Sequence, residues 1–558
     1  MYKPVETNLN FVDREKEVLA FWKEENIFEK SVKKNEGNPE FSFYDGPPTA
    51  NGKPHIGHAY EKIMCDVIYR HFTQRVEDTY FLTGTDEHGV KIQKTAEKRG
   101  ITPKELCDEN SSSFKATWAD LEIGYTDFIR TTDERHKVVV QKIFKKLVEN
   151  GDIYKHSYKG LYCAGCESFL NARDLTEDGL CPDHLKKPEE VTEENYFFRL
   201  TKYKDAIIAH IKAHPEFLQP SFKVNEVLKQ LEDIEDISVS RNKNSVSWGI
   251  PVPDDDEQVI YVWIDALSNY ITALGYDPEN PSETFKKYWP ADVQIIGKDI
   301  LKFHAIYWSA ILMALGIELP KTICAHGWIT IDETKMSKSL GNVIAPADIL
   351  KNFELEKPDA LRYYMVTSAP FGRDGNYSDE DFKEKVNADL ANNIGNLLNR
   401  SLNMLVKYFD GEIKPEFIKA GNDIEKAGDE AIENVKKFFD GYQVCEAANA
   451  IVEFANTVNK YVADNAPWSL AKEEKMQECG EVLYNILEAM RKIAVMLYPY
   501  CPNISKEIFE QLSADMNIKY DEVANNKLQA GKITEKAKIH PVFPRMDSEF
   551  ATDKKKAK

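Results

Sequence analysis

The sequence lacks any run of about eighteen apolar residues, the length a helix needs to cross a bilayer, so a helical membrane span is excluded. It also lacks an excess of positive charge: 72 Lys and Arg stand against 92 Asp and Glu, a formal net charge of −20. That balance argues against indiscriminate binding to nucleic acid. It leaves room for a local basic track, because phosphate contacts depend on clustered cations and not on the total. The N-terminus, Met1-Tyr2-Lys3-Pro4-Val5-Glu6, lacks the basic-then-apolar order of a secretory signal, and a cytoplasmic location is expected. Paired cysteines are scarce. Of nine, Cys65, Cys107, Cys324, Cys445 and Cys479 stand alone in apolar or periodic sequence and read as buried thiols, while Cys501, beside prolines, carries no signal. With 42% apolar and 29% charged residues the composition is not that of a disordered chain, and 558 residues call for several domains.

What is present centres on Tyr44 to His58, YDGPPTANGKPHIGH. The apolar run Phe41-Ser42-Phe43-Tyr44 has strand character and breaks at Gly46-Pro47-Pro48. Asn51-Gly52 then turns the chain, and His55-Ile56-Gly57-His58 opens a helical pattern through Tyr60, Ile63 and Val67. A strand feeding a glycine turn and a helix start presents N–H groups to an anion, and the two histidines add donors for phosphate oxygens. Taken alone, the stretch fits two surface histidines at a helix start equally well. Before it, Val18, Leu19, Phe21, Trp22 and Ile27 form a helical stripe in a lead-in covering residues 1–40.

Further strand–turn units follow. Thr79-Tyr80-Phe81-Leu82 breaks into Thr83-Gly84-Thr85-Asp86-Glu87-His88-Gly89, which fits a site at a sheet's carboxyl edge and, read locally, fits a solvated turn somewhat better. Cys163-Ala164-Gly165-Cys166 and Cys181-Pro182-Asp183-His184 are two pairs at metal-ligand spacing. Three thiolates and an imidazole with no open position describe a structural zinc site, whose binding energy of roughly 10–16 kcal/mol can fold a segment too small for a core. Val259-Ile260-Tyr261-Val262-Trp263-Ile264 reads as a buried strand leading into a helix from Asp265 through Tyr270. Val293-Gln294-Ile295-Ile296 ends at Gly297-Lys298-Asp299, before a helix with Phe303, His304, Tyr307 and Trp308. Thr322-Ile323-Cys324-Ala325 precedes His326-Gly327-Trp328. These units predict an α/β fold with an open, doubly wound, mostly parallel sheet and its ligand at the strand ends. Lys335-Met336-Ser337-Lys338-Ser339 suits a loop that clamps phosphates, or a plain solvated loop. From about Ser378 the pattern is helical throughout and predicts an all-α bundle.

HIGH and KMSKS, in this order and flanking a doubly wound pattern, resemble the paired signatures of class I aminoacyl-tRNA synthetases. From about Ala59 to Asp547 the chain resembles the methionyl-tRNA synthetases, through FLTGTDEHG, FIRTTDERH, the cysteine knuckle, YVWIDAL, IIGKDILKFHAIYW, HGWITIDETKMSKSLGNV and DALRYY. The resemblance implies a Rossmann-type catalytic domain in two halves, residues 41–150 and 251–377. It also implies a connective insertion with the zinc knuckle at 151–250 and a helical anticodon-binding domain at 378–547; the polar, Lys-rich composition of 548–558 predicts a disordered tail. It implies attachment of methionine to its tRNA through methionyl-adenylate, with Mg2+ accompanying ATP and initiator and elongator methionine tRNAs as partners. On that resemblance His55 and His58 bind the ATP phosphates and stabilise the transition state, Glu61, Gly297 and Asp299 hold the adenosine, and Lys338, assisted by Lys335, neutralises the leaving pyrophosphate. Asp86 takes the methionine ammonium. Trp263, Ala266, Tyr270, Phe303, His304 and Tyr307 line the side-chain pocket, although singly the aromatics fit plain core. Asn396, Arg400 and Trp468 match the anticodon readers, and Cys163, Cys166, Cys181 and His184 the zinc ligands.

Two departures stand out. Residues 1 to about 58, with FWKEENIFEKS and YDGPPTANGKPHIGH, resemble the isoleucyl-tRNA synthetases instead, and Thr49 occupies a position where methionyl enzymes usually carry a tyrosine. The chain also stops soon after Phe543-Pro544-Arg545-Met546-Asp547, whereas many relatives continue into a dimerising domain, so a monomer is expected. Three rival readings follow: an isoleucyl- or valyl-type synthetase, against which the small insertion and the TDEHG and KFHAIYW runs speak; a tRNA-independent adenylyltransferase, which has no use for Asn396, Arg400 and Trp468; and a non-enzymatic tRNA-binding relative, which has no use for HIGH and KMSKS.

Overall fold

The computed structural model describes residues 37–75, 77–163, 168–170, 175–182, 185–331, 334–335, 343–516, 519–543 and 545–546. The lead-in stripe from Val18 to Ile27, the candidate zinc ligands Cys166 and His184, most of the KMSKS run including Lys338, and the 548–558 tail therefore lie outside the described residues.

At the centre is a six-stranded parallel sheet. Its strands are β1 (Glu40–Asp45), β2 (Asp78–Thr85), β3 (Asp127–Arg130), β4 (Leu218–Gln219), β5 (Val293–Gly297) and β6 (Thr322–His326), in the order β3-β2-β1-β5-β6-β4. The order reverses between β1 and β5, which opens a crevice at the carboxyl ends of those two strands. Both faces of the sheet are covered, so the strands read as nearly unbroken apolar runs. Side chains nevertheless alternate between two cores. Phe41, Phe43, Phe81, Phe128 and Ile295 join one, while Tyr44, Leu82, Ile129, Ile296 and Ile323 join the other. Gly84 is required where β2 passes β3, because a Cβ there would lie 2.1 Å from the Ile129 carbonyl oxygen.

Seven helices frame this sheet for the present purpose: α1 (Ile56–Gln74), α2 (Glu134–Glu149), α3 (Val262–Thr272), α4 (Asp359–Thr367), α5 (Asn396–Phe409), α6 (Val444–Asn465) and α7 (Met476–Leu497). Helix α1 follows β1 directly and is buried along most of its length. The core of the helical bundle built on α5, α6 and α7 is continuous with the α1 face of the sheet. Ser378 caps the helix Asp379–Lys385, accepting the Asp381 N–H at 3.1 Å. The bundle is not purely helical, since Glu412–Ile413 pairs antiparallel with Gly531–Lys532.

The excursion after β3 forms a four-stranded antiparallel sheet that includes Ile153–Cys163, Ser168–Leu170 and Glu189–Phe198. Within it the chain returns to lay down β4 against β6, a strand of two residues. The expected strand Val259–Ile264 is corrected. Strand structure ends at Ile260 in a small antiparallel sheet, and α3 begins at Val262 with Asp265 in its first turn. A short apolar run fits strand and buried helix alike, and here the helix extends upstream through it.

Candidate active site

The crevice is built from the end of β1 and the start of α1. His55 is the N-cap of α1, and its Nδ1 accepts the Gly57 N–H at 3.1 Å, while the His58 Nδ1 accepts the His55 N–H at 3.2 Å. The two rings stack with centroids 3.8 Å apart, and Phe114 packs edge-on against His58 at 5.3 Å. Because both Nδ1 atoms accept, the neutral rings carry their protons on Nε2. Two imidazole N–H donors are thus held together at a helix N-terminus, where backbone N–H groups and the helix dipole already favour an anion.

One turn further along α1, Glu61 is buried with His326, the last residue of β6, at 3.8 Å. Burial pushes the Glu61 carboxyl up, but the adjacent Lys62 and His326 outweigh it and hold the group below its ordinary value. Lys62 is itself buried in an ion pair with Asp45, the final residue of β1. Burial pulls its ammonium down, and Asp45 and Glu61 more than restore it. Gly297 ends β5 opposite His326, and a Cβ there would lie 2.7 Å from the Asp299 carboxylate. Asp299 is exposed and accepts the Trp328 indole N–H at 3.3 Å. Lys298 pairs with both Asp374 oxygens at 2.7 Å and lies over the Trp328 ring. Glu61, Gly297 and Asp299 therefore line one side of the crevice.

On its other side lies an aromatic cluster. Trp263 and Phe303 stack at 3.5 Å and 9°, and Tyr307 meets Phe303 edge-on at 5.2 Å. His304 donates from Nδ1 to the Ile300 carbonyl at 3.0 Å, so its Nε2 accepts the Tyr270 hydroxyl proton at 2.7 Å. Burial pushes the His304 imidazole down to about 4, outweighing the pull of the Ile300 carbonyl and the Glu61 and Asp299 carboxylates. Tyr270 lies 3.7 Å from where a Cβ on Gly46 would stand, which links the cluster to the turn after β1. Ala266, one turn before Tyr270 on α3, is buried.

Asp86 follows β2 and is buried, and the Thr49 hydroxyl lies 3.4 Å from its Oδ2. The local reading of Thr83–Gly89 as a solvated turn is corrected, since Asp86, Glu87 and His88 are all buried. Glu87 takes a bidentate pair from Arg130 at 2.7 and 2.9 Å. His88 Nδ1 and His136 Nε2 (on α2) each lie 2.7 Å from one oxygen of Asp265, which is fully buried on α3. Burial pushes the Asp265 carboxyl up, yet the two histidines win and hold it at about 2. This His88–Asp265–His136 chain locks α3, and with it Trp263 and Ala266, to the end of β2. Sequence reasoning missed it because its members come from three separate segments. The one available signal was Asp265 lying between two pocket candidates.

The KMSKS run begins in a hairpin in which Thr334–Lys335 pairs antiparallel with Ile329–Ile331. Just beyond it, the Ile344 carbonyl accepts the Ile56 N–H at 3.0 Å, so the base of the loop is tied to the first turn of α1.

The family model described as tRNA synthetases class I (M) matches residues 46–189 and 184–402, and that for the anticodon-binding domain of tRNA ligase matches 423–555. The methionine–tRNA ligase of Clostridium perfringens is 46% identical over 505 residues, covering 89% of this chain and 76% of that protein. The Thermotoga maritima enzyme is 43% identical, covering 89% and 79%. The chain belongs to the methionine–tRNA ligase family. A solved structure of Mycobacterium tuberculosis methionyl-tRNA synthetase in complex with methionyl-adenylate superposes with a TM-score of 0.86 at 36% identity, covering 91% of this chain and all of that one. The family match begins at Gly46 and so takes in the end of the stretch up to about residue 58 that resembles the isoleucyl-tRNA synthetases.

In this member of the methionine–tRNA ligase family, Asn396 and Arg400 are exposed one turn apart on α5, and Trp468 is 46% exposed in the short helix Pro467–Lys472. Arg400 donates to the Asn459 amide oxygen at 2.5 Å. Asn459 donates to Asn393 and Asn393 to Asn456, an amide chain that bridges α6 to the π-helical segment Val386–Gly395 that leads into α5. Of the zinc-ligand candidates, Cys163 and Cys181 are described and buried. Cys163 ends one strand of a hairpin, and Cys181 sits in a turn closed by its N–H to the Lys186 carbonyl and by the Leu185 N–H to its own carbonyl. No described helix is long and apolar enough to cross a membrane.

Proposed function

We infer that this chain attaches methionine to its tRNA in two steps through methionyl-adenylate. The observation that carries the inference, beside family membership, is the start of α1. Both Nδ1 atoms are committed to the helix cap, so two Nε2–H donors are presented at the β1–β5 switch point. A methionine carboxylate oxygen attacks the α-phosphorus of ATP, the bond to the bridging oxygen breaks, and pyrophosphate leaves. His55 and His58 donate to the phosphate oxygens as negative charge shifts during this step. Lys338, with Lys335, neutralises the leaving group. Glu61, Gly297 and Asp299 hold the adenosine. No side chain acts as a covalent nucleophile, so positioning and charge stabilisation carry the rate. Mg2+ bound to ATP supplies further charge neutralisation.

Asp86 holds the methionine ammonium, and Trp263, Ala266, Tyr270, Phe303, His304 and Tyr307 surround the thioether chain. The neutral, acceptor-committed His304 presents no charge to an apolar substrate. In the second step the terminal adenosine hydroxyl of the tRNA attacks the activated carbonyl and AMP leaves. Asn396, Arg400 and Trp468 read the anticodons of initiator and elongator methionine tRNAs, a planar cation and a stacking ring being what splayed bases require. Cys163, Cys166, Cys181 and His184 would hold one structural zinc, and the burial of the two described thiols, Cys163 at a strand end and Cys181 in a turn, is compatible with that role. A cytoplasmic location follows from its substrates. Amino-acid-dependent exchange of pyrophosphate into ATP across a panel of amino acids, followed by charging of both methionine tRNAs, tests this reading. Exchange with isoleucine and not with methionine overturns it.

A further inference from the structure

Helix α1 carries the two imidazoles at one end and enters the bundle at the other. Its 19 residues span about 28 Å at 1.5 Å per residue. At the far end His71 stacks on Phe439 with centroids 3.9 Å apart, Gln74 donates to the Val495 carbonyl at 3.2 Å, and Arg75 pairs with Asp440 at 2.6 Å. Midway lies Asp66, with no exposed surface. Its Oδ1 accepts the Gly124 N–H at 2.7 Å, and its Oδ2 accepts from Arg70 Nε at 2.7 Å and from Arg362 Nη2 at 2.5 Å. Arg362, on α4, is equally buried. Its other donations go to the carbonyls of Leu121 at 3.0 Å, Pro499 at 2.9 Å and Tyr500 at 3.1 Å. One guanidinium thus joins α1, the turn after the helix that carries Phe114, and the end of the bundle's α7.

We propose that Asp66 and Arg362 are positioning residues for adenylation: they fix α1 between bundle and crevice and so place His55 and His58 against the transition state. The proposal rests on the functional reading above. A guanidinium sets direction as well as distance, because its donors form a rigid planar fork. Here all of that geometry is spent on α1 and on the segments flanking it. Phe114, which packs on His58, lies in the helix whose end Arg362 holds. A displacement of about 1 Å in a catalytic group can cost about 100-fold in rate.

The test uses the full chain, measuring methionine-dependent exchange and thermal unfolding for Asp66→Asn and Arg362→Gln. Arg491→Gln is the control. Arg491 is also buried and donates to Glu488 and to the Val523 carbonyl, but entirely inside the bundle. All three variants should unfold at lower temperature. Only Asp66→Asn and Arg362→Gln should lower the exchange kcat, by about tenfold or more, with KM for methionine and ATP moved by no more than about twofold. Arg362→Lys, which keeps the charge, should recover part of the loss. Unchanged kcat in both variants, or an equal fall in Arg491→Gln, overturns the proposal. If the deep variants do not fold, Arg70→Gln, which removes a partly exposed partner of the same carboxylate, decides it: a fall in kcat at constant KM supports the proposal and unchanged kcat overturns it. Wild-type protein without methionine-dependent exchange would defeat the functional reading instead, so the two failures are distinguishable.

Discussion

The crevice and the proposed anticodon face are built on opposite plans. In the crevice, polar groups are buried and bonded to one another before any ligand arrives: Tyr270 to His304, Asp265 to His88 and His136, Glu61 beside His326. On the bundle, Asn396, Arg400 and Trp468 are exposed, and order comes from a surface chain of amides behind Arg400. The difference follows from what each region must do. A site that stabilises a transition state gains only from groups already fixed where charge develops, which requires burial and hydrogen bonds that hold those groups in place. A site that reads bases needs rings and cations within reach of a large, solvated partner, and stacking tolerates exposure.

The largest effect that should separate the two regions is at His58. His58→Ala should lower methionine-dependent exchange about 10²–10³-fold, the usual cost of one preorganised donor, and should lower tRNA charging with it. Loss of charging alone would mean that the crevice assignment is wrong. Trp468→Ala probes the converse. Stacking is worth about 1–3 kcal/mol per base, so charging kcat/KM should fall about 5–150-fold while exchange stays unchanged. A fall in exchange would show that the two regions are not separable in this way.

A subtler contrast lies within the crevice, at Thr49. Its hydroxyl faces Asp86, so position 49 borders the proposed ammonium site. Thr49→Tyr adds a ring worth about 1.5–3 kcal/mol of apolar contact if it packs on the substrate, and KM for methionine should fall by about tenfold or more. An unchanged KM would show that the ring is not missed. The smallest effect is at His304. Its ordinary value of 6.5 is lowered to about 4 by burial, so between those pH values the unfolded chain binds a proton that the folded chain refuses. Its contribution to stability is therefore present above 6.5 and declines as the pH falls towards 4. An NMR titration of the His304 ring should show a midpoint near 4, and a midpoint near 6.5 would contradict its burial as a neutral acceptor.

Much of this plan was legible in the residues. The strands Phe41–Tyr44, Thr79–Leu82, Val293–Ile296 and Thr322–Ala325 all lie in the central sheet, because strands covered on both faces leave unbroken apolar runs. The HIGH turn was legible as a helix start, and its capping pattern follows from the same four residues. What escaped depends on partners distant in sequence. Glu87 and His88 look like solvated turn residues until Arg130 and Asp265 are placed beside them. Val262–Ile264 was misread because three apolar residues carry no period. Strand β4 is too short to signal itself, and Arg362 in DALRYY gives no hint that it binds the centre of α1. Asn396, Arg400 and Trp468 were reached by resemblance alone, since exposed polar residues on a helix have no local signature.

The central claim is that the crevice makes methionyl-adenylate without help from the bundle's proposed RNA-reading face. Active-site titration tests it most directly: the protein is mixed with ATP and labelled methionine in the absence of tRNA, and the enzyme-bound adenylate is counted. The account predicts close to one methionyl-adenylate per chain, the same yield in Trp468→Ala, and none with isoleucine. An isoleucyl-adenylate, or no adenylate until tRNA is added, would contradict it.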